Sequence, residues 1–437
     1  MTNNPQQIID QSPMGKLQIF AVFLCILLNA LDGFDVLAIS FASPGIAEEW
    51  SVNRAELGII LSMELFGMAL GSMLLGGVAD KIGRRPTILA CLVVMTSGMY
   101  LASVVNTVNT LLAIRFITGL GIGGMLAAIN AMAAEYSNAK HRSFAIIVMA
   151  VGYPVGIILG GSVASYLLSQ FDWRSVFIFG ATVTGVLLPI VYFFMPESIS
   201  WLMEKRPAGA LERINKTLKR MGHQTVESLP EPVVKEKTSN WTELFSPTFM
   251  RTTILLTLAY FLHIMVFYFV LKWIPKIVVD MGYSAASAGS VLVWANVGGA
   301  TGSLLLGFLS HKIDVKRLVI GALILSTVMV VIFGQGQSEL NMLALVTAAA
   351  GFFTNAVIVG QYALIAHSYP ARLRAGGTGF VVGLGRGGAA LGPVVAGFLF
   401  EAGYGLSNVA MIVSVGSLIA AAAIFMLQPP KEEAANA

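Results

Sequence analysis

Two carboxyl groups stand in the middle of an apolar run. Asp32 and Asp35, in the stretch Asn29-Ala-Leu-Asp-Gly-Phe-Asp-Val36, are spaced i, i+3 and share one face if the run is helical. From a helix start near Leu17, Asp32 lies roughly 22 Å along the axis at 1.5 Å per residue, well inside a hydrocarbon layer of about 30 Å. An ionisable side chain at that depth is costly and normally faces a partner or a wet cavity, so the pair reads as a proton or substrate site. The bland alternative ends the helix near Leu31 and leaves both acids in a loop. Arg115 falls at a comparable depth, about five residues or roughly 8 Å inside its own apolar run. A guanidinium there holds a carboxylate ionised while burial favours the neutral acid, a balance suited to proton loading; the alternative is a structural ion pair between two helices. Arg386, in Gly383-Leu-Gly-Arg-Gly-Gly388, sits near the middle of a later run. Its planar fork matches a carboxylate bidentately, and its flanking glycines permit close approach of substrate or of a neighbouring helix. Glu64, also mid-run, is either the fixed acid that Arg386 packs against or part of a proton relay.

Other polar or aromatic groups fall within apolar runs. His263 is about twelve residues into one of them, and is either a satisfied hydrogen-bonding residue or a ligand for substrate or proton. Tyr153, Trp294, Asn296, Asn355 and Tyr362, with Phe267 and Tyr268, have the character to line a cavity for a flat ring, although most aromatic side chains simply pack. Lys272, beside Trp273 and Pro275, is expected to snorkel at the outer interface. No metal-ligand spacing, phosphate-cradling glycine loop or nucleophile signature occurs, so neither a metal nor a cofactor is expected.

The elements that hold these residues follow from composition. Of 437 residues, 56% are hydrophobic and 11% charged, against about 25% charged in soluble domains. Apolar stretches of spanning length recur twelve times, at about 17–41, 55–79, 87–106, 110–134, 143–168, 174–195, 251–273, 285–309, 317–334, 341–366, 376–400 and 406–427. The expected fold is therefore an all-α membrane protein of twelve transmembrane helices. Basic residues crowd one side, at Lys16, Lys81, Arg84, Arg85, Lys140, Arg142, the 205–251 segment, Lys312, Lys316, Arg317, Arg372, Arg374 and Lys431, while the other side keeps Arg54, Arg174 and Lys276. The positive-inside rule then places both termini in the cytoplasm. The net charge of +4 reflects that orientation rather than affinity for nucleic acid. Cys25 and Cys91 lie in apolar runs and read as packing residues, and the polar first fifteen residues do not resemble a removable signal peptide.

The one long polar segment, 196–250, divides the spans six and six, giving an N-terminal bundle over 1–195, a cytoplasmic linker, and a C-terminal bundle with a short tail over 251–437. Within the linker, 208–221 has the spacing of an amphipathic helix lying on the inner membrane surface, or else is a solvated connector. The two halves repeat. Gly76-Gly-Val-Ala-Asp-Lys-Ile-Gly-Arg-Arg85 is echoed by Gly307-Phe-Leu-Ser-His-Lys-Ile-Asp-Val-Lys-Arg317, an offset of 307 − 76 = 231 that also carries Asp32 onto His263. Two six-helix repeats with a site between them describe a secondary transporter.

At these residues the chain resembles the major facilitator superfamily. Gly76 to Arg85 fits that family's loop signature at every defined position, Arg115-x-x-x-Gly119-x-Gly121 resembles its fourth-helix motif, and Pro196-Glu-Ser-x-Ser-Trp201 resembles the motif of its sugar and metabolite branches. The second loop copy departs from the pattern, with His311 for the acid and Asp314 for the glycine. Asp-Gly-Phe-Asp in the first helix is similar to the aromatic acid/proton symporters. The resemblance implies an inner gate built from Asp80, Arg84, Arg85, Glu135, Arg142, Arg372 and Arg374, against the alternative of positive-inside anchoring. It also implies a monomer in the bacterial inner membrane that imports a small aromatic carboxylate with protons by alternating access. Asp32, Asp35, Arg115 and Glu64 would couple protons, and Arg386, His263 and the aromatic and amide groups would bind substrate. The rivals are a symporter or antiporter for a non-aromatic organic acid, and a membrane sensor or enzyme.

Overall fold

The computed structural model describes residues 4–230 and 241–428, with side chains at all of these except 241, 371, 372 and 375. Arg372 and Lys431 of the inner basic set thus lie outside the described side chains. Among the described residues the regular structure is helical. A short α1 (Pro5–Gln11) precedes α2 (Lys16–Trp50), α3 (Arg54–Ile82), α4 (Arg84–Val104), α5 (Val108–Tyr136), α6 (Arg142–Gln170) and α7 (Arg174–Phe194). Then come α8 (Ile199–Lys205), α9 (Ala210–Met221), a 3-10 turn at Trp241–Phe245, α10 (Met250–Asp280), α11 (Ala285–Leu309), α12 (Val315–Gly334), α13 (Leu340–His367), α14 (Ala371–Glu401) and α15 (Leu406–Phe425). Twelve of them, α2–α7 and α10–α15, are long and apolar enough to cross a membrane. Their outward side chains demand it. Phe144, Tyr166, Phe193 and Phe425 are each between 65% and 73% exposed, a surface that water would penalise and lipid would not.

Several spans outrun their apolar stretches. The first continues through Pro44 to Trp50. A proline costs a helix one N–H and one carbonyl partner, and helices in a bundle tolerate it where neighbours satisfy the freed group; the preceding Ser43 donates its hydroxyl to the Ser40 carbonyl at 2.9 Å. Likewise α10 passes through Pro275 to Asp280. Lys272 is therefore eight residues short of the helix end and fully buried, which corrects the expectation that it snorkels at the interface. The apolar run stops at 273, but Ile277 and Val278 carry the buried face beyond it.

The chain forms two compact units by contact. The first comprises Met1–Val36, Gly67–Ile157 and Phe177–Lys235; the second comprises Leu37–Phe66, Ile158–Val176 and Glu236–Ala437. In the first unit, α2 and α6 touch backbone to backbone. A Cβ on Gly33 would overlap the Tyr153 carbonyl oxygen, and one on Gly156 would overlap that of Ala30, while Asn29 Nδ2 donates to the Met149 carbonyl at 2.6 Å. These contacts clamp the stretch that bears Asp32. In the second unit the same device joins α10 to α14, where Gly388 and Gly392 press on the carbonyls of Phe261 and Met265.

The linker helix α9 neither lies free nor needs a membrane. Ala210, Ile214, Leu218 and Met221 are buried against protein, the Met221 carbonyl rests on Gly15, and His223 Nε2 meets Gln18 Oε1 at 2.9 Å. Burial draws the His223 pKa below its ordinary value. An amphipathic pattern fits a protein surface as well as a lipid one, so sequence periodicity alone leaves the partner open.

Replacement of Gly156 by Val should abolish folded yield or cost at least about 3 kcal/mol, since the overlap is with backbone that cannot rotate away. Gly321→Ala, where an added Cβ meets nothing within 4 Å, should be neutral. Thermal unfolding in detergent compares the two.

Candidate functional site

Within the first unit, Asp32 and Asp35 lie on an unbroken part of α2 and are 1% and 0% exposed. The reading that leaves them in a loop is excluded. Asp35 Oδ1 lies beside Gly180 of α7. Arg115, also fully buried, reaches from α5 to the same stretch: its Nη2 donates to the Asp35 carbonyl at 3.0 Å and its Nη1 meets Met99 Sδ at 3.2 Å. Its guanidinium carbon stands 5.4 Å from the centre of the Phe177 ring. The expected meeting of α2 and α5 is therefore present, and it engages the backbone of the Asp-Gly-Phe-Asp stretch.

A second cluster in this unit occupies the ends of α3, α4 and α5. Asp80 pairs with Arg84 at 2.6 Å, and Arg84 with Glu135 at 3.6 Å; Ser198 donates to Glu135, and Trp201 Nε1 donates to the Asp80 carbonyl at 3.2 Å. Arg85 stacks on Tyr192. Arg142 pairs instead with Asp10 of α1 and donates to the Ala134 carbonyl at 3.0 Å. Arg374 is exposed.

At the centre is a residue whose role sequence reading missed. Glu197 Oε1 accepts from the backbone N–H groups of Arg84, Arg85 and Ser198 at 3.0, 3.2 and 2.8 Å, and Tyr136 donates to its carbonyl at 2.7 Å. A carboxylate is favoured at a helix N-terminus, where orphan N–H groups and the helix dipole converge. Gly83 makes room for it: its φ is +113°, and a Cβ there would overlap Glu197 Oε2. In the second loop copy Asp314 replaces that glycine and caps α12 with its own side chain, accepting from Arg317 N at 3.0 Å. The departure from the repeat thus exchanges a long-range cap for a local one. The clue was the joint occurrence of Gly83 and Pro196-Glu-Ser.

The second unit holds Arg386 on α14, Tyr362 on α13, and Glu64, 0% exposed, on α3. Tyr362 shares a 3.1 Å hydroxyl contact with Tyr260 of α10, a residue the sequence did not single out. His263 is fully enclosed. Its Nε2 faces the Thr354 carbonyl at 2.9 Å and its Nδ1 meets Ser417 Oγ at 3.0 Å. A carbonyl only accepts, so Nε2 carries the proton and both ring nitrogens are engaged. Asn296 donates to its own helix at Leu292, 2.9 Å away; Asn355 packs on Gly299; Trp294 is 54% exposed along a groove with Thr301, Leu345 and Phe352. Tyr153, in the first unit, contributes its carbonyl to the α2–α6 contact.

The three cations assigned to the outer side also have fixed partners. Arg54 and Lys276 both engage Asp280, the former at 3.1 Å, and Glu49 receives two bonds from Arg174 at 2.6 and 2.7 Å and one from Trp173 at 2.8 Å.

Twelve spans, a repeated loop and buried charges match a family model described as Major Facilitator Superfamily over residues 22–313 and 256–437. The chain belongs to that superfamily. It is accordingly a multi-pass membrane transporter and not an enzyme. The transporter is 29% identical over 429 residues to the 4-hydroxybenzoate transporter PcaK of Acinetobacter baylyi, covering 96% of this chain and 93% of that one. It is 28% identical to the gallate transporter of Pseudomonas putida, over 95% and 93% of the two chains. The 3-(3-hydroxy-phenyl)propionate transporter of Escherichia coli is 27% identical, over 92% of each. Among solved structures the D-xylose-proton symporter superposes with a TM-score of 0.71 at 17% identity, over 95% of this chain and 99% of that one, which supports the fold.

Glu197→Ala should lower the thermal midpoint of the transporter in detergent. It strips the shared acceptor from three backbone donors, and an unsatisfied buried donor costs about 1–3 kcal/mol. Glu197→Gln keeps an acceptor oxygen and should lose less; equal losses would show that the negative charge, which glutamine lacks, carries the whole effect.

Proposed function

We propose that this transporter is a proton-coupled symporter that imports a small aromatic carboxylate by alternating access, in a bacterial inner membrane with both termini cytoplasmic. The observation that carries the reading is the pair of fully buried carboxyls in the Asp32–Asp35 stretch, with Arg115 anchored to the same turn of α2. Relatives whose names specify 4-hydroxybenzoate, gallate and 3-(3-hydroxy-phenyl)propionate support the substrate class: each is a ring with an anionic carboxylate. Such a substrate needs a cation at its site and a proton to accompany it against its gradient.

In this mechanism Asp32 and Asp35 take up the proton. Arg115 is bound to the same turn of α2, so adding or removing a proton there changes the charge of one buried cluster. Arg386 receives the substrate carboxylate through its fork, and Tyr362 binds the substrate with it. Glu64 serves as the relay or counter-charge. His263 has both nitrogens committed to Ser417 and Thr354, which favours a framework role over a ligand role. Asp80, Arg84, Arg85 and Glu135, held by Glu197, form the inner gate that opens and closes as the six-helix halves 1–195 and 251–437 exchange access. The protein works as a monomer with the 196–250 segment as its inner linker.

Purified protein in proteoliposomes should accumulate labelled 4-hydroxybenzoate when the outside is acidic and stop when a protonophore collapses the gradient. Accumulation that ignores the gradient would remove symport. At the substrate site, Arg386→Lys should not restore binding, because a point ammonium cannot form two parallel N–H bonds. Arg386→Ala should weaken the carboxylate at least roughly tenfold and its neutral amide much less. Equal weakening of both ligands would make Arg386 a packing residue.

A further inference from the structure

We infer that Tyr260 is a positioning residue for the substrate, holding the Tyr362 hydroxyl as an outward donor to the carboxylate beside Arg386. This rests on the reading above that an organic carboxylate binds at Arg386.

The two tyrosines differ in a way that packing alone does not require. Tyr260 is 1% exposed while Tyr362 is 40% exposed, and their hydroxyl oxygens lie 3.1 Å apart. The rings meet at 5.7 Å between centroids with a 46° tilt. The buried member is locked from both sides. Gly385, the residue before Arg386, has no room for a Cβ because the Tyr260 ring occupies that space. One residue along on each helix, Gln361 Nε2 donates to the Ala259 carbonyl at 3.2 Å, fixing the register of α13 on α10 at the tyrosine pair.

A phenol has one proton and spare lone pairs, so only one proton lies between two hydroxyl oxygens and the other points elsewhere. Tyr260 is buried and has the Tyr362 oxygen at 3.1 Å as an acceptor for its proton, and a buried donor is seldom left unpaired. Tyr362 then accepts from below and presents its own proton on its exposed side. Arg386 follows Gly385 on the turn of α14 that packs on the Tyr260 ring, so the proposed site draws two donors from the Arg386 fork and one from Tyr362. A carboxylate, with about four lone-pair sites, accepts all three. A carboxamide would turn an N–H₂ group against at least one of them.

The test measures binding of 4-hydroxybenzoate and 4-hydroxybenzamide to purified full-length protein, with Tyr→Phe changes that retain both rings. Tyr362→Phe should weaken the acid about tenfold or more, the usual effect of a hydrogen bond to a charged group, and the amide less. Tyr260→Phe should weaken the acid about threefold or more in the wild-type background and not at all in the Tyr362→Phe background, since it acts through that hydroxyl. An equal loss in both backgrounds overturns the inference, because Tyr260 would then act by packing. A second measurement starts from the ligand-free protein. The fluorine resonance of 3-fluorotyrosine at position 362 should shift on Tyr260→Phe, and again on adding 4-hydroxybenzoate. A resonance that answers the ligand but not Tyr260→Phe overturns the positioning role while the carboxylate reading stands. A resonance that answers Tyr260→Phe but not 4-hydroxybenzoate at a concentration that saturates binding overturns donation to the carboxylate, while absence of binding by any organic acid overturns the aromatic-acid reading itself.

Discussion

A guanidinium in an apolar bundle must find acceptors, and Arg115 finds its own on the backbone of α2 at Asp35. Desolvating that charge without partners would cost several kcal/mol, so the contact ties α5 to α2, and Met99 of α4 and Phe177 of α7 also touch the guanidinium. The same turn of α2 carries the two buried carboxyls. Their surroundings are therefore set by an interaction the fold cannot discard, and any change in their charge is felt by the element that packs the first unit.

The glycines serve this arrangement. Apolar side chains give no net drive for helices to associate in lipid, so close backbone approach supplies the contact energy. Gly33 and Gly156 let α2 lie directly on α6 at the height of Asp32, and Gly385 and Gly388 let α14 lie on α10 around Arg386. The charged residues at the helix ends follow a second logic. Glu197 satisfies N–H groups that α4 cannot satisfy itself, tying the entry of one span to the exit of another.

Much of this was legible in the sequence. The number of spans, their approximate limits, the repeat and the placement of Asp32, Asp35 and Arg115 inside the apolar layer follow from hydropathy and helical rise. The ends of α2 and α10 did not, because Pro44 and Pro275 read as breaks, whereas in a packed bundle they are absorbed. Lys272 was misplaced for that reason. The partner of α9 was hidden because amphipathicity names a face and not what covers it. His263 and Tyr260 show the limit for site residues: both are mid-helix polar groups on α10, and only the positions of Ser417, Thr354 and Tyr362, 91 to 154 residues away in the chain, separate their surroundings.

The central claim is that the buried carboxyls of α2 carry a proton inward with each substrate molecule. It is tested most directly by following external pH in weakly buffered suspensions of vesicles when 4-hydroxybenzoate is added without any imposed gradient. The account predicts transient alkalinisation of the medium by the wild-type protein, and its loss in Asp32→Asn and in Asp35→Asn, because an amide cannot bind and release the proton at physiological pH. Substrate entry without alkalinisation, or alkalinisation that survives in both variants, would contradict it.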